Sequence, residues 1–138
     1  AIVADYYTHC SCTLDVGNRA NVEQALALYA DTLPNEDGLT FPDGFRLEPP
    51  ADEGTELWIH DDGGGDVELV ISFVLLCAER LFLEGRWGFE YGLTASRPLL
   101  DGFGGGAHVV DLSDRSSLSW TSTSEWLAGV LAGGDGNA

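Results

Sequence analysis

Polar and apolar residues alternate from the start of the chain. In Tyr6 to Leu14 (YYTHCSCTL), Tyr6, Cys10, Cys12 and Leu14 share one face, while Tyr7, His9, Ser11 and Thr13 share the other. That is the period of a strand. Asn18 or Asn21 can cap the helix that follows, in which Val22, Ala25, Leu26 and Tyr29 recur at i, i+3, i+4 and i+7. Pro34 lies just past its end. Residues 34 to 55 (PNEDGLTFPDGFRLEPPADEGT) are rich in Pro, Gly, Asp and Glu, which predicts a long loop with a short strand around Phe45 to Leu47. Glu56 to His60 (ELWIH) reads as a strand, and Asp61-Asp62-Gly63-Gly64-Gly65 as a turn ending at Asp66, a good helix cap. The next helix runs from Val67 to about Leu83, with Gly85 as a left-handed stop. It is apolar on nearly every side, which predicts a central helix covered on two faces or by a partner.

Arg86 to Ser96 (RWGFEYGLTAS) is a strand with Trp87, Phe89, Tyr91, Leu93 and Ala95 on one face and Gly88, Glu90, Gly92 and Thr94 on the other. A glycine-rich connection leads to a strand over Ala107 to Leu112, a turn at Ser113 to Ser116 and a strand over Leu118 to Ser122. Ser124 is placed to cap a short final helix through Ala132, and the tail 133–138 is expected to fray. The order β-α-(β)-β-α-β-β-β-α predicts one α+β domain over 1–138. Its mostly antiparallel sheet carries two main helices on one face, and a ferredoxin-like split β-α-β is the first architecture.

The composition narrows the function. A chain of 138 residues with 44% apolar and 21% charged residues is globular and not disordered. Its 23 acids face six arginines and no lysine, for a net charge of −17. Direct binding to nucleic acid or to an anionic membrane is excluded on this balance, because phosphate binding runs on Lys and Arg. No basic region followed by an apolar one opens the chain, and the longest apolar run, Leu69 to Leu83, is short of a membrane span. Three cysteines, two of them in Cys10-Ser11-Cys12, do not form a disulfide framework. A cytoplasmic protein without a cofactor is the expectation.

Motifs that could carry chemistry have weightier plain readings. His9, Cys10 and Cys12 could ligate a soft metal, but alternation puts the thiols and His9 on opposite faces, so buried cysteines are expected. Asp61, Asp62, Asp66 and Glu68 surround a glycine turn without the spacing of a calcium loop. Gly102-Phe103-Gly104-Gly105-Gly106-Ala107 echoes a phosphate loop but leads into a strand, which predicts a flexible or bulged connection. His108 near Asp111 and Asp114 could act as a base, and no G-x-S-x-G elbow is present. Trp58, Trp87 and Trp120 fall on strands and Trp126 opens the last helix; the strand aromatics are expected to face a core, with an aromatic binding face as the alternative.

Acidity is the feature least explained by folding. Residues 31 to 68 hold 12 of the 23 acids against Arg46 alone. Solubility or a saline habitat is the plain explanation; imitation of duplex phosphates, spaced about 1.7 Å apart along the axis, is the specific one. The stretch GRWGFEYGLTASRPLLDGFGGGAHVVD, Gly85 to Asp111, resembles small acidic proteins carried on bacterial plasmids and phages. That setting implies inhibitors of host defence, among them anti-CRISPR and antirestriction proteins; it assigns no residue a role. The leading expectation is a non-enzymatic inhibitor that binds a basic nucleic-acid-handling protein, such as a CRISPR effector or restriction enzyme, and blocks its groove. Its contact is placed on Glu36, Asp37, Asp43, Asp52, Glu53, Glu56, Asp61 and Asp62, with Trp58 as anchor. The alternatives are a self-assembling homo-oligomer that buries its apolar helix and aromatic strands, and a small metal-binding or enzymatic domain built on His60, His108 or the Cys10/Cys12 pair.

Overall fold

The computed structural model describes residues 5–98 and 102–134. The strands are β1 (Tyr6–Asp15), β2 (Arg46–Glu48), β3 (Glu56–His60), β4 (Arg86–Ala95), β5 (Gly104–Asp111) and β6 (Ser116–Ser122). The helices among these residues are α1 (Arg19–Asp31), α2 (Phe41–Gly44), α3 (Val67–Leu81) and α4 (Thr123–Leu131). The six strands form one sheet in the order β2-β3-β1-β4-β5-β6, and each neighbouring pair is antiparallel. The chain is thus α+β, as the alternation of elements predicts.

β3 and β4 both pair with β1, so the connection through α3 steps over one strand; the connection through α1 and α2 likewise steps over β3. Cys10, Leu14, Leu57, Ile59, Leu47, Phe89 and Val110 point from the sheet into the core. They meet Val70, Phe73, Val74 and Cys77 of α3, and Val22 and Ala25 of α1. The sheet covers one side of α3 while α1 and α2 cover another, which accounts for its apolar circumference within one chain. A cluster of rings seals the top: Phe73 lies 5.2 Å from Phe41 and 5.4 Å from Phe45. The Tyr29 hydroxyl donates to the Phe45 carbonyl at 2.5 Å. Truncating such a side chain to Ala typically costs about 3–5 kcal/mol.

Several local readings are corrected. The predicted 34–55 loop contains α2, whose cap is a reciprocal Thr40–Asp43 box with a proline in the first turn; four residues are too few for periodicity to register. The short strand in that segment is Arg46–Glu48. α3 stops at Phe82, not Gly85, because Phe82 itself takes the left-handed conformation (φ 55°). α4 is capped by Ser122 rather than Ser124, its side chain accepting from the Glu125 N–H. The glycine run is strand from Gly104 onward, not a flexible connection. A Cβ on Gly106 would collide with the Tyr91 hydroxyl and the Thr121 carbonyl, so these glycines permit close approach across the sheet. Gly133 and Gly134 close α4 with bonds to Val130 and Gly129, while the expected fraying at 135–138 lies outside the described residues, as do residues 99–101 of the stretch that carries the resemblance. No helix among the described residues is long and apolar enough to cross a membrane.

The uncovered face of the sheet as candidate functional site

Alternation fixes what the face opposite α1–α3 displays. It carries Tyr7, His9, Ser11, Thr13 and Asp15 from β1, Glu56, Trp58 and His60 from β3, and Arg46 and Glu48 from β2. β4 adds Gly88, Glu90, Gly92 and Thr94. Trp87 and Phe89 turn to the core as expected and stack on one another, but the other tryptophans do not: Trp58, Trp120 and Trp126 are exposed. The expectation of core-facing strand aromatics fails at Trp58 because its neighbours Leu57 and Ile59 take the inward positions.

Trp58 is 46% exposed and nevertheless fixed. Its indole N–H donates to Ser11 Oγ at 2.8 Å, and its ring stacks on His60 at 4.0 Å. His60 is in turn anchored by donating Nδ1–H to the Asp61 carbonyl at 2.8 Å, with Nε2 3.4 Å from Glu48 Oε1. Carboxylates rim this platform. Glu48 is Trp58's register partner on β2, and Asp15 and Glu56 are paired directly across β1 and β3. Two like charges in that position repel by a few tenths of a kcal/mol to about 1 kcal/mol.

The acids assigned to partner binding do not gather in one place. Asp52, Glu53 and Glu56 lie at the β2–β3 hairpin; Asp61 and Asp62 lie at the other end of β3, about 14 Å away at ~3.4 Å per residue. Glu36 and Asp37 sit exposed in the α1–α2 loop, where Asn35 accepts the Asp37 and Leu39 N–H groups. Asp43 accepts from the Thr40 N–H at 2.7 Å and its hydroxyl at 2.9 Å, and those bonds hold its carboxyl below the usual range. Asp62 pairs with Arg46 at 2.8 Å.

Asp61 serves the fold. Its carboxylate accepts from the Cys10 N–H at 2.9 Å, the Gly63 N–H at 3.1 Å and His9 Nδ1 at 2.9 Å. Burial pushes its carboxyl up, but these donors outweigh burial and hold it below the ordinary value. On the other side of the imidazole, Nε2 meets Thr94 Oγ1 at 2.8 Å. Asp61, His9 and Thr94 thus stand in the order of orienting acid, base and hydroxyl. Thr94 pairs with Tyr7 one step from the end of the β1–β4 ladder, and with its bond to His9 the group acts as a clamp holding the 61–66 turn to β1 and β4. The 52- and 85-residue separations of these contacts hid it from sequence reasoning. The only trace was the alternation that turned His9 away from the thiols. Beside the clamp, His9, Ser11, Asp61, Glu90 and Gly92 line a shallow hollow of about 450 Å³. Ser11 joins it to the Trp58 platform.

The other candidates resolve into structural roles. Cys10 and Cys77 are buried and Cys12 is half-buried; desolvation raises the thiols, to about 12 for Cys12 and Cys77. Asp66 caps α3 through the Leu69 N–H. His108 bonds Ser117 Oγ at 2.8 Å and stacks on Trp120, while Asp111 accepts from the Asp114 N–H instead of orienting the imidazole. Among the described residues no group of three or more His, Cys, Asp or Glu side chains converges as a metal site. No protein-family model, curated protein or solved structure matches the chain.

Proposed function

We propose that this chain is a non-enzymatic binding protein whose uncovered sheet face takes the basic surface of a nucleic-acid-handling protein and blocks its groove, in the manner of DNA-mimic anti-CRISPR or antirestriction inhibitors. The observation that carries the reading is Trp58, exposed but held by Ser11 and His60 within a rim of Glu48, Glu56 and Asp15. An immobilised indole offers its face to an arginine guanidinium at little entropic cost. Carboxylates beside it supply the charge-assisted bonds that a groove built for phosphates already seeks. None of these three acids has an arginine partner among the salt bridges of the described residues. On this reading the contact centres on Trp58, Glu48, Glu53, Glu56 and Asp15, with Glu36, Asp37 and Asp52 as steering charge; Asp43, Asp61 and Asp62 maintain the local fold. The protein works in the cytoplasm, and β1 to β4 with α1 and α3 form a ferredoxin-like core to which β5, β6 and α4 are appended.

The test is capture of basic proteins from a bacterial lysate, followed by competition with duplex DNA. The reading expects a nucleic-acid-handling protein that elutes as salt rises from about 50 to 500 mM and is displaced by DNA. Trp58→Ala, or Glu48→Gln with Glu56→Gln, should weaken that complex at least tenfold. Simultaneous binding of DNA and this chain, or unchanged affinity in both variants, would overturn it.

A further inference from the structure

The two edges of the sheet are treated differently. β2 is three residues long, carries Arg46 and Glu48, and runs into Pro49-Pro50. Short length, charge, proline and bulges are the devices that keep an edge strand from pairing with another chain. β6 is longer, uncharged and free of proline, and carries one of the four, a bulge at Leu118 where β5 advances one residue and β6 two. Its seven residues, Ser-Ser-Leu-Ser-Trp-Thr-Ser, contain no charge and no proline, and all but Ser122 are exposed.

The helix that follows has the same character. No residue of α4 is buried, although its sequence TSEWLAGVL is mostly apolar. Leu118 (43% exposed), Trp120 (65%), Leu127 (53%) and Leu131 (78%) stand out to solvent within this β6–α4 unit. Apolar groups concentrated beside an open backbone edge mark a contact surface.

Charge selects the occupant. Residues 104–134 hold three of the 23 acids, Asp111, Asp114 and Glu125, and one arginine, Arg115. None of the four lies between residues 116 and 124. Two copies of a chain with a net charge of −17 repel almost everywhere else, and this neutral strip lets them approach. A basic partner, by contrast, is drawn to the acidic ends and away from β6. An antiparallel edge is also self-complementary about a two-fold axis, since each strand offers the other the same row of donors and acceptors.

We propose that β6 pairs antiparallel with β6 of a second copy, joining two six-stranded sheets into one and covering the apolar side chains of β6 and α4. Seven residues give about 24 Å of edge, and the flanking leucines and Trp120 widen the strip toward the roughly 800 Å² per partner of a standard specific interface. The β6 edge lies at the opposite end of the sheet, four strands from β3 and its Trp58, so the dimer presents two copies of the Trp58 platform.

The test is the mass of the full chain in solution by light scattering and sedimentation, with hydrogen exchange followed across concentrations. The expected mass is twice 14.7 kDa at micromolar concentration, persisting or strengthening at high salt, because screening lowers the repulsion between copies. Amides of residues 116–122 should gain protection as concentration rises. Leu118→Lys with Trp120→Lys should raise the dimer dissociation constant at least tenfold while far-UV circular dichroism stays that of the parent. Glu48→Lys at the other edge should leave the dimer intact. A monomer at 100 μM, on the order of the highest concentration used, in high salt would refute the proposal. So would a dimer indifferent to the double variant, or concentration-dependent protection appearing in β2 instead of β6.

Discussion

Asp61 is the residue whose replacement discriminates most sharply between a surface acid and a structural one. Its side chain is 13% exposed and accepts two backbone N–H groups and the His9 ring. Hydrogen bonds to a charged acceptor contribute roughly 1.5–3 kcal/mol each when shielded. The His9 bond is discounted to about 0.5 kcal/mol because that ring is 42% exposed. With the Cys10 bond at about 1.5–3 kcal/mol and the exposed Gly63 bond discounted like that of His9 to about 0.5 kcal/mol, Asp61→Ala should therefore cost about 2.5–4 kcal/mol. Asp61→Asn is milder. Its amide oxygen can keep the Cys10 N–H, and its NH₂ can donate to His9 Nδ1 once the imidazole changes tautomer and donates Nε2–H to Thr94. The charge and the Gly63 bond are lost, for about 1–2 kcal/mol.

Urea denaturation reads both, and the melting temperature should fall by about 4 °C per kcal/mol at this chain length. The pH dependence gives an independent check. A carboxyl held below its ordinary value of 3.8 contributes stability that is present above that pH and lost as pH falls through the lower, folded value. The gap between the parent and Asp61→Asn should thus be full near neutrality and close as pH drops below about 4. Equal stability of the two proteins at neutral pH, or a gap that persists under acid, would refute this account of Asp61. Charge reversal at Asp61 is a poor probe of partner binding, since a Lys there would release the 61–66 turn and lose affinity for a reason unrelated to contact.

Three further outcomes are expected. Cys12 and Cys77, with thiols pushed up to about 12 by burial, should react with iodoacetamide at pH 8 far more slowly than in urea; rapid native labelling would contradict their burial. Phe82→Gly should stabilise the chain by roughly 0.5–1 kcal/mol in denaturant titration, because Phe82 sits at φ 55° and is 81% exposed, so relief of a left-handed backbone outweighs the little burial lost. Glu56→Gln should raise stability by a few tenths of a kcal/mol by removing the repulsion from Asp15 while lowering affinity for a basic partner, a pair of opposite signs that melting and binding measurements separate.

Sequence patterning carried the elements whose faces differ strongly. β3, β1 from Cys10 onward and β4 up to Tyr91 alternate cleanly because one side is buried there, and α1 shows its stripe at Val22 and Ala25. It failed where geometry replaces patterning. The run Gly104-Gly105-Gly106 reads as a loop on turn chemistry, yet it is strand; glycine stands at 105 and 106 because Tyr91 and the Thr121 carbonyl leave no room there for a Cβ. The site was legible in its parts: Trp58 and the acids could be singled out, but their grouping could not. The strand read over Glu56 to His60 already sets Glu53 and Asp61 at its opposite ends, but nothing local shows that Glu48 faces Trp58, or that Asp61, His9 and Thr94 meet across three strands. Those facts follow from strand order and register, which long-range pairing decides.

The unequal edges and the uneven charge belong to one arrangement. β2, next to the Trp58 platform, is closed to pairing by Arg46, Glu48 and the Pro49-Pro50 step, so a partner must engage that end of the sheet through side chains on its open face. β6, at the far edge, is among the described residues the only strand whose residues are almost all exposed, and it is free of charge; its readiest contacts are backbone and apolar. Electrostatic contacts form fast and weaken with salt, whereas apolar and backbone contacts hold. Raising the salt should therefore strip a basic partner from the protein while leaving two copies joined. If both associations responded to salt alike, charge would not be what separates the two surfaces, and the acidity would be a general property of the exterior.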